Sequence, residues 1–148
     1  MSAPVRCARA RALAMKRKKL PTLSSLEKKL DKLFSEYIRR KDADEGGTVA
    51  CVTCGKLFHW KEVHCGHFVK RQHRAVRWDV DNAGPQCVRD NLHMGGRQDD
   101  FAIHILASKG RFTLDRLMAA KYTPVKFTRA DLEKLIEGFK EKLEALNA

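Results

Sequence analysis

The segment Cys51-Val-Thr-Cys54-Gly55 most constrains the fold of this chain. Two thiolates two residues apart can converge on one ion, and the glycine lets the backbone turn beneath them. Cys87 supplies a third soft ligand after a long connection, as expected when one ion clips two distant pieces of chain together. The CxxC alone would also suit a redox pair; the third cysteine favours bound Zn²⁺ over that reading. The second member of a later C-x2-C pair would fall at position 90, where the residue is Asp90. A carboxylate oxygen can bind zinc, so a Cys51-Cys54-Cys87-Asp90 site is the expectation, with His93 as the alternative fourth ligand and His64 and Cys65 as further options. Cys7 has no neighbour to share an ion with and reads as a free thiol.

Residues 48–97 hold four of the five cysteines, five of the six histidines and both tryptophans. Their short apolar runs, Thr48 to Val52 and Leu57 to Val63, suit small strands and turns. A segment with so few aliphatic residues cannot build a large core, the usual setting in which a metal provides the missing stability.

Helices are expected on both sides. Before the core, Leu26, Leu30, Leu33, Phe34, Tyr37 and Ile38 recur at helical spacing, with Ser24 and Glu27 placed to form a capping box. The pattern decays between Asp42 and Gly47. After the core, Phe101, Ala102, Ile105 and Leu106 share a face that ends near Gly110, and Thr113 is placed to cap a short helix. Thr128 and Asp131 then open a last stripe running from Leu132 to Leu146, with Phe127 and Leu132 at staple spacing. The expected organisation is a basic arm (1–21), an amphipathic helix and loop (22–47), a zinc core (48–97) and a helical region (98–148), forming one compact α+β domain.

The 148 residues carry 30 Lys and Arg against 18 Asp and Glu, a formal charge of +12. Such a surplus attracts a polyanion, and nucleic acid is the first candidate. No acidic residue occurs before Glu27, and Lys16, Arg17, Lys18 and Lys19 form a cluster suited to phosphates. No apolar run is long enough to cross a membrane and none resembles a signal peptide, so the expectation is a cytoplasmic, DNA-associated protein with no membrane partner.

His64-Cys65-Gly66-His67 offers more ligating and proton-transfer groups than one structural zinc requires. Phosphodiester hydrolysis needs an activated water and relief of charge on the phosphate oxygens. His67 can take the proton near neutral pH, and a divalent ion such as Mg²⁺ or Mn²⁺ can support the developing charge. Asn82 can fix the intervening loop through its amide, and Asn91 can offer a carbonyl oxygen to a hard cation. Lys70, Arg71, Arg74 and Arg77 surround this hairpin and could pair with phosphates. Trp60 and Trp78 read as packing residues.

The ordered pattern Cys51-x2-Cys54-Gly55, Gly66-His67-Phe68, Arg77-Trp78-Asp79, Asp81-Asn82, Gln86-Cys87 and Asn91 resembles the NinG/Rap family of phage recombination proteins, which belongs with the HNH-type nucleases. Phe34-Ser-Glu-Tyr37-Ile38-Arg39-Arg40-Lys-Asp42 resembles the helix preceding that family's first zinc knuckle. The likeness covers about residues 22–110. It implies a treble-clef or ββα-metal core among helices, with His67 as general base, Asn82 as the middle Asn and Asn91 as the last, metal-binding position. It also implies a structure-selective, divalent-metal-dependent DNA endonuclease that acts on branched recombination intermediates such as Holliday junctions or D-loops. That places the chain in a phage or prophage, with a homodimer and recombination proteins as admissible partners. Two positions depart from the pattern: Asp90 replaces a cysteine, and Gly66 stands where many HNH sites carry a metal ligand. Asp79, Asp81, His64 or His93 could replace that ligand. The competing readings are a zinc-containing DNA-binding accessory with weak or no nuclease activity, and a protein-interaction adaptor.

Overall fold

The computed structural model describes residues 18–148. Lys16, Arg17 and Cys7 therefore lie outside the described residues. Among the described residues, four α-helices and two small antiparallel sheets make an α+β structure.

Helix α1 spans Leu23–Arg40 and buries Leu26, Leu30, Phe34 and Ile38, one residue per turn of a single stripe. Its cap differs from the expected one. Thr22, not Ser24, is the N-cap, and its hydroxyl accepts from Ser25 N at 3.1 Å. Glu27 does not close a capping box, because its carboxylate is drawn across to Arg74.

Helix α4, Arg129–Leu146, opens on the capping box that the sequence predicts between Thr128 and Asp131. It buries Leu132, Ile136, Phe139 and Leu143 against α1. The two helices run parallel: Phe34 meets Phe139 edge-on with 5.3 Å between centroids, and Arg40 reaches Asn147 at 2.6 Å. Parallel neighbours need a long crossover, and here the Cys/His-rich core and the two helices after it form that crossover. Trp78 and Ala83 from the core pack into the same cluster. Truncating Phe34 or Phe139 would cost about 3–5 kcal/mol.

Strands β1 (Thr48–Ala50) and β2 (Leu57–His59) form a hairpin whose turn carries Cys51 and Cys54. Gly55 sits at φ +73°, and its N–H returns to Cys51 O at 2.8 Å, so the tight turn is built on glycine's left-handed freedom. Strands β3 (His64–His67) and β4 (Ala83–Gln86) form the second sheet, with Gly66 opposite Gly84 and His67 opposite Ala83. A short π-helical turn, Arg89–His93, follows β4 and leads to α2, Gln98–Lys109. Helix α3, Arg111–Ala120, folds back on α2. Thr113 does not cap it: Gly110 is the N-cap, and the Thr113 hydroxyl donates back to Lys109 O. Of the face expected on α2, Phe101 and Ile105 are buried with Val69, Val76 and Leu117, while Leu106 is exposed.

Candidate functional site

The two hairpins and the π-turn bring the knuckle cysteines to Cys87 and Asp90. One ligand atom from each of Cys51, Cys54, Cys87 and Asp90 lies within 4.8 Å of every other. Cys54 Sγ and Cys87 Sγ are 4.0 Å apart, and Cys51 Sγ is 3.9 Å from Asp90 Oδ2. Tetrahedral bonds of about 2.3 Å would put two sulfurs about 3.8 Å apart, close to the 4.0 Å between Cys54 and Cys87, so the cluster has the spacing of a group that could share one ion. The sequence-predicted quartet is thus assembled; His93 is exposed at the end of the π-turn and outside it.

The cluster's electrostatics divide its members, drawing Cys51 and Asp90 toward their ionised forms and Cys87 away from it. Burial opposes ionisation of Cys51, but the Thr53 hydroxyl and the backbone N–H groups of Cys87, Cys54 and Thr53 outweigh it and pull the thiol down to about 7. Cys87, buried and beside Cys51, is pushed up to about 11. Two thiols that cannot both ionise alone are the state a cation relieves. Asp90 is fully buried, at 0% exposure. Burial would raise its carboxyl, yet hydrogen bonds from Thr53 (2.7 Å), Arg89 (2.9 Å) and Arg97 (3.1 Å) hold it at about 2. An aspartate at this position therefore arrives ionised and oriented.

The second site lies on the other hairpin. His67 ends β3, stacks on Phe34 at 5.7 Å and places Nε2 2.9 Å from the carbonyl oxygen of Arg77. A carbonyl can only accept, so Nε2 carries the proton and Nδ1 keeps a lone pair. Burial lowers the pKa of His67 below the ordinary imidazole value, more than the Arg77 carbonyl raises it. The ring is therefore neutral at pH 7, the form a general base requires.

Asn82 is fully buried. Its Oδ1 accepts from Val69 N at 2.8 Å, and its Nδ2 donates to the carbonyls of Val69 (2.9 Å) and Val76 (3.0 Å). The amide staples the loop between β3 and β4 from inside, as the sequence predicts. Asn91, on the π-turn, lines one cavity of about 250 Å³ with His67, Phe34, Asp31, Cys65, Lys70 and Arg71. Its Nδ2 lies 3.0 Å from His64 Nδ1.

Gly66 has a steric cause. A Cβ there would sit 2.9 Å from the Gln86 Cβ and collide with Gln86 Oε1 as well. Of the four residues able to supply the missing ligand, Asp79 is paired with Arg116 at 2.6 Å, and Asp81 with Lys109 and Arg116 at 3.1 and 2.9 Å. His93 is exposed, so His64 is the one that the fold pairs with Asn91.

The predicted phosphate-binding residues divide. Lys18, Lys19, Lys70 and Arg71 are exposed. Arg77 is not: it is 15% exposed and donates to both oxygens of Asp31, at 3.1 and 2.6 Å. Arg74 is paired with Glu27. Trp78 also donates to Asp31, at 3.0 Å, while Arg71 reaches it at 3.2 Å from a 63% exposed side chain. Neither Asp31 nor Glu27 was legible as a site residue: nothing near Asp31 in the sequence marks it, and Glu27 read as half of a capping box. Trp78 packs in the core as expected, whereas Trp60 is only half-buried, beneath the guanidinium groups of Arg39 and Arg40.

A family model described as Bacteriophage Lambda NinG protein matches residues 6–148. The chain belongs to the NinG family. Neither the curated proteins nor the solved structures include a match. Among the described residues of this NinG-family chain, no helix is long and apolar enough to cross a membrane.

Proposed function

We propose that this chain is an HNH-type, divalent-metal-dependent endonuclease that acts on branched DNA recombination intermediates. The observation that carries the reading is the shared cavity of His67 and Asn91, whose connecting loop is stapled by buried Asn82. The order β3, β4, π-turn is that of a ββα-metal unit. The knuckle hairpin and the Cys87–Asp90 turn supply the treble-clef ligands for a structural zinc, the metal that best suits three thiolates and a carboxylate.

In this reading His67 Nδ1 takes the proton from the attacking water while the Arg77 carbonyl holds Nε2–H. Asn91 would hold the divalent ion through its amide oxygen, with His64 accepting from its Nδ2 and orienting the amide, and water and the DNA phosphate would complete the shell. Mg²⁺ commonly keeps most of its waters in this way. When bound, the ion stabilises charge on the phosphate and on the leaving oxygen. Lys70 and Arg71, exposed at the rim of the cavity, meet the flanking phosphates.

The test is cleavage and binding on duplex, single-stranded, D-loop and four-way-junction DNA with Mg²⁺ or Mn²⁺. Metal-dependent nicks lost with His67→Ala support the nuclease. Selective junction binding without cleavage supports the second reading, a zinc-containing recombination accessory, which Gly66 favours.

A further inference from the structure

A second groove lies apart from the cavity of His67 and Asn91. It measures about 650 Å³, within the roughly 300–1,000 Å³ of ligand pockets, and runs between α4 and the segment around Phe127. Its floor is apolar: Trp78, Phe127, Leu135 and Phe139. Its rim carries Lys126, Lys134 and Lys142. Among the described residues, no carboxylate lies within ion-pair distance of these three lysines. The groove's one acidic residue, Asp131, is spent on the helix cap, accepting from the Thr128 N–H and hydroxyl at 2.8 Å each. The Lys142 ammonium is held over the Phe139 ring at 4.7 Å, at the edge of the floor.

Gly138 is the second observation. It lies inside α4 and lines the groove, yet a Cβ there would meet nothing within 4 Å. No packing demand and no positive φ requires glycine, the poorest helix former after proline. What its missing side chain does is keep the groove open.

We propose that this groove docks an acidic peptide segment bearing a bulky apolar side chain, supplied by a partner protein. The apolar residue fills the space over Gly138, and the carboxylates meet Lys126, Lys134 and Lys142. Charge complementarity selects this occupant. A second copy of a +12 chain brings the wrong sign. Nucleic acid would meet the lysines but not use the floor. There the Trp78 indole N–H is already given to Asp31 and is not free to meet a base. The inference stands apart from the nuclease reading, since the groove shares no residue with the cavity of His67 and Asn91.

The experiment is fluorescence anisotropy with the full chain and a labelled, Asp-rich synthetic peptide ending in Leu-Phe. Lys134→Glu with Lys142→Glu, and separately Gly138→Leu, should each weaken binding about tenfold or more. Gly138→Ala should retain binding and raise the melting temperature, which separates blocking from misfolding. Lys28→Glu with Lys29→Glu, an equal charge change on the exposed face of α1, should leave affinity nearly unchanged. The same peptide with Ala-Ala replacing Leu-Phe should bind about tenfold less tightly. Equal binding of the two peptides, or equal losses from the α1 and α4 charge changes, would reduce the effect to general polyanion attraction and overturn the proposal. So would junction DNA that needs Lys134 and Lys142 while the peptide does not.

Discussion

The imidazole of His67 is fixed by the backbone of Arg77, Nε2 to carbonyl oxygen at 2.9 Å. That bond sets the tautomer, and burial keeps the ring neutral. His67→Ala should lower metal-dependent cleavage by about 10²–10⁴-fold. The pH profile of the parent gives a sharper check. A base acts when unprotonated, so the rate should fall only as pH drops through a pKa below the ordinary 6.5. The same shift affects stability. The contribution is complete above 6.5 and is lost as pH falls through the folded value, because below 6.5 the unfolded chain binds the proton first. A rate limb above 6.5 would remove His67 from the base role.

Asp31 holds the other end of this arrangement. It accepts from Arg77, Arg71 and Trp78, joining α1 to the segment whose carbonyl grips His67. Asp31→Asn keeps the shape but removes the charge. Thermal or urea unfolding should show a loss of about 1–3 kcal/mol. Cleavage should fall as well, with a changed pH profile, since the His67 tautomer loses its support. An unchanged profile in a destabilised protein would make Asp31 purely structural.

These two relationships show where sequence reading stops. The knuckle, the helical stripes of α1 and α4 and the Thr128 cap depend on spacing within a few residues, and each was legible. Asp90 was legible too, because ligand spacing is local. The Asp31–Arg77 pair spans 46 residues, and nothing in either neighbourhood announces the other. Gly66 looked like a missing ligand until the register placed it opposite Gly84, with the Gln86 side chain over it. The Glu27 capping box failed for a similar reason: a distant arginine offered a stronger partner than a backbone amide.

That register makes a prediction of its own. Gly66→Asp, the substitution that would restore a common HNH ligand, should lower the melting temperature and fail to raise cleavage. Its Cβ must displace Gln86, whose Nε2 donates to Gly96 O at 2.8 Å and Thr53 Oγ1 at 3.2 Å. Faster cleavage by a stable Gly66→Asp protein would show that the strand can yield.

The structural metal is checked by composition and by removal. Elemental analysis should find one zinc per chain, and a strong chelator should lower the melting temperature. Cys54→Ser should reduce zinc content and loosen the contact between the knuckle and the Cys87 turn. Asp90→Ala should be worse for the fold than ligand loss alone, because it strips a partner from Thr53, Arg89 and Arg97 together. Zinc well below one equivalent in protein made with sufficient metal would refute the assignment.

DNA affinity should separate the basic residues whose side chains the fold leaves exposed from those it holds largely buried. Binding should weaken steeply with salt, since each phosphate contact releases counterions. Lys70→Ala and Arg71→Ala should each reduce the salt slope by about 1 and leave stability nearly unchanged. Removing residues 1–19 should do the same on a larger scale. Arg77→Ala should behave differently: it leaves Asp31, with 24% of its side chain exposed, without the two guanidinium hydrogen bonds at 2.6 and 3.1 Å. Its main effect should be a lower melting temperature, and its salt slope should match the parent's. Titrations of four-way-junction DNA at several salt concentrations, run beside thermal melts, measure both quantities. A salt slope reduced equally by Arg77→Ala and Lys70→Ala would mean that Arg77 leaves Asp31 to meet the phosphate.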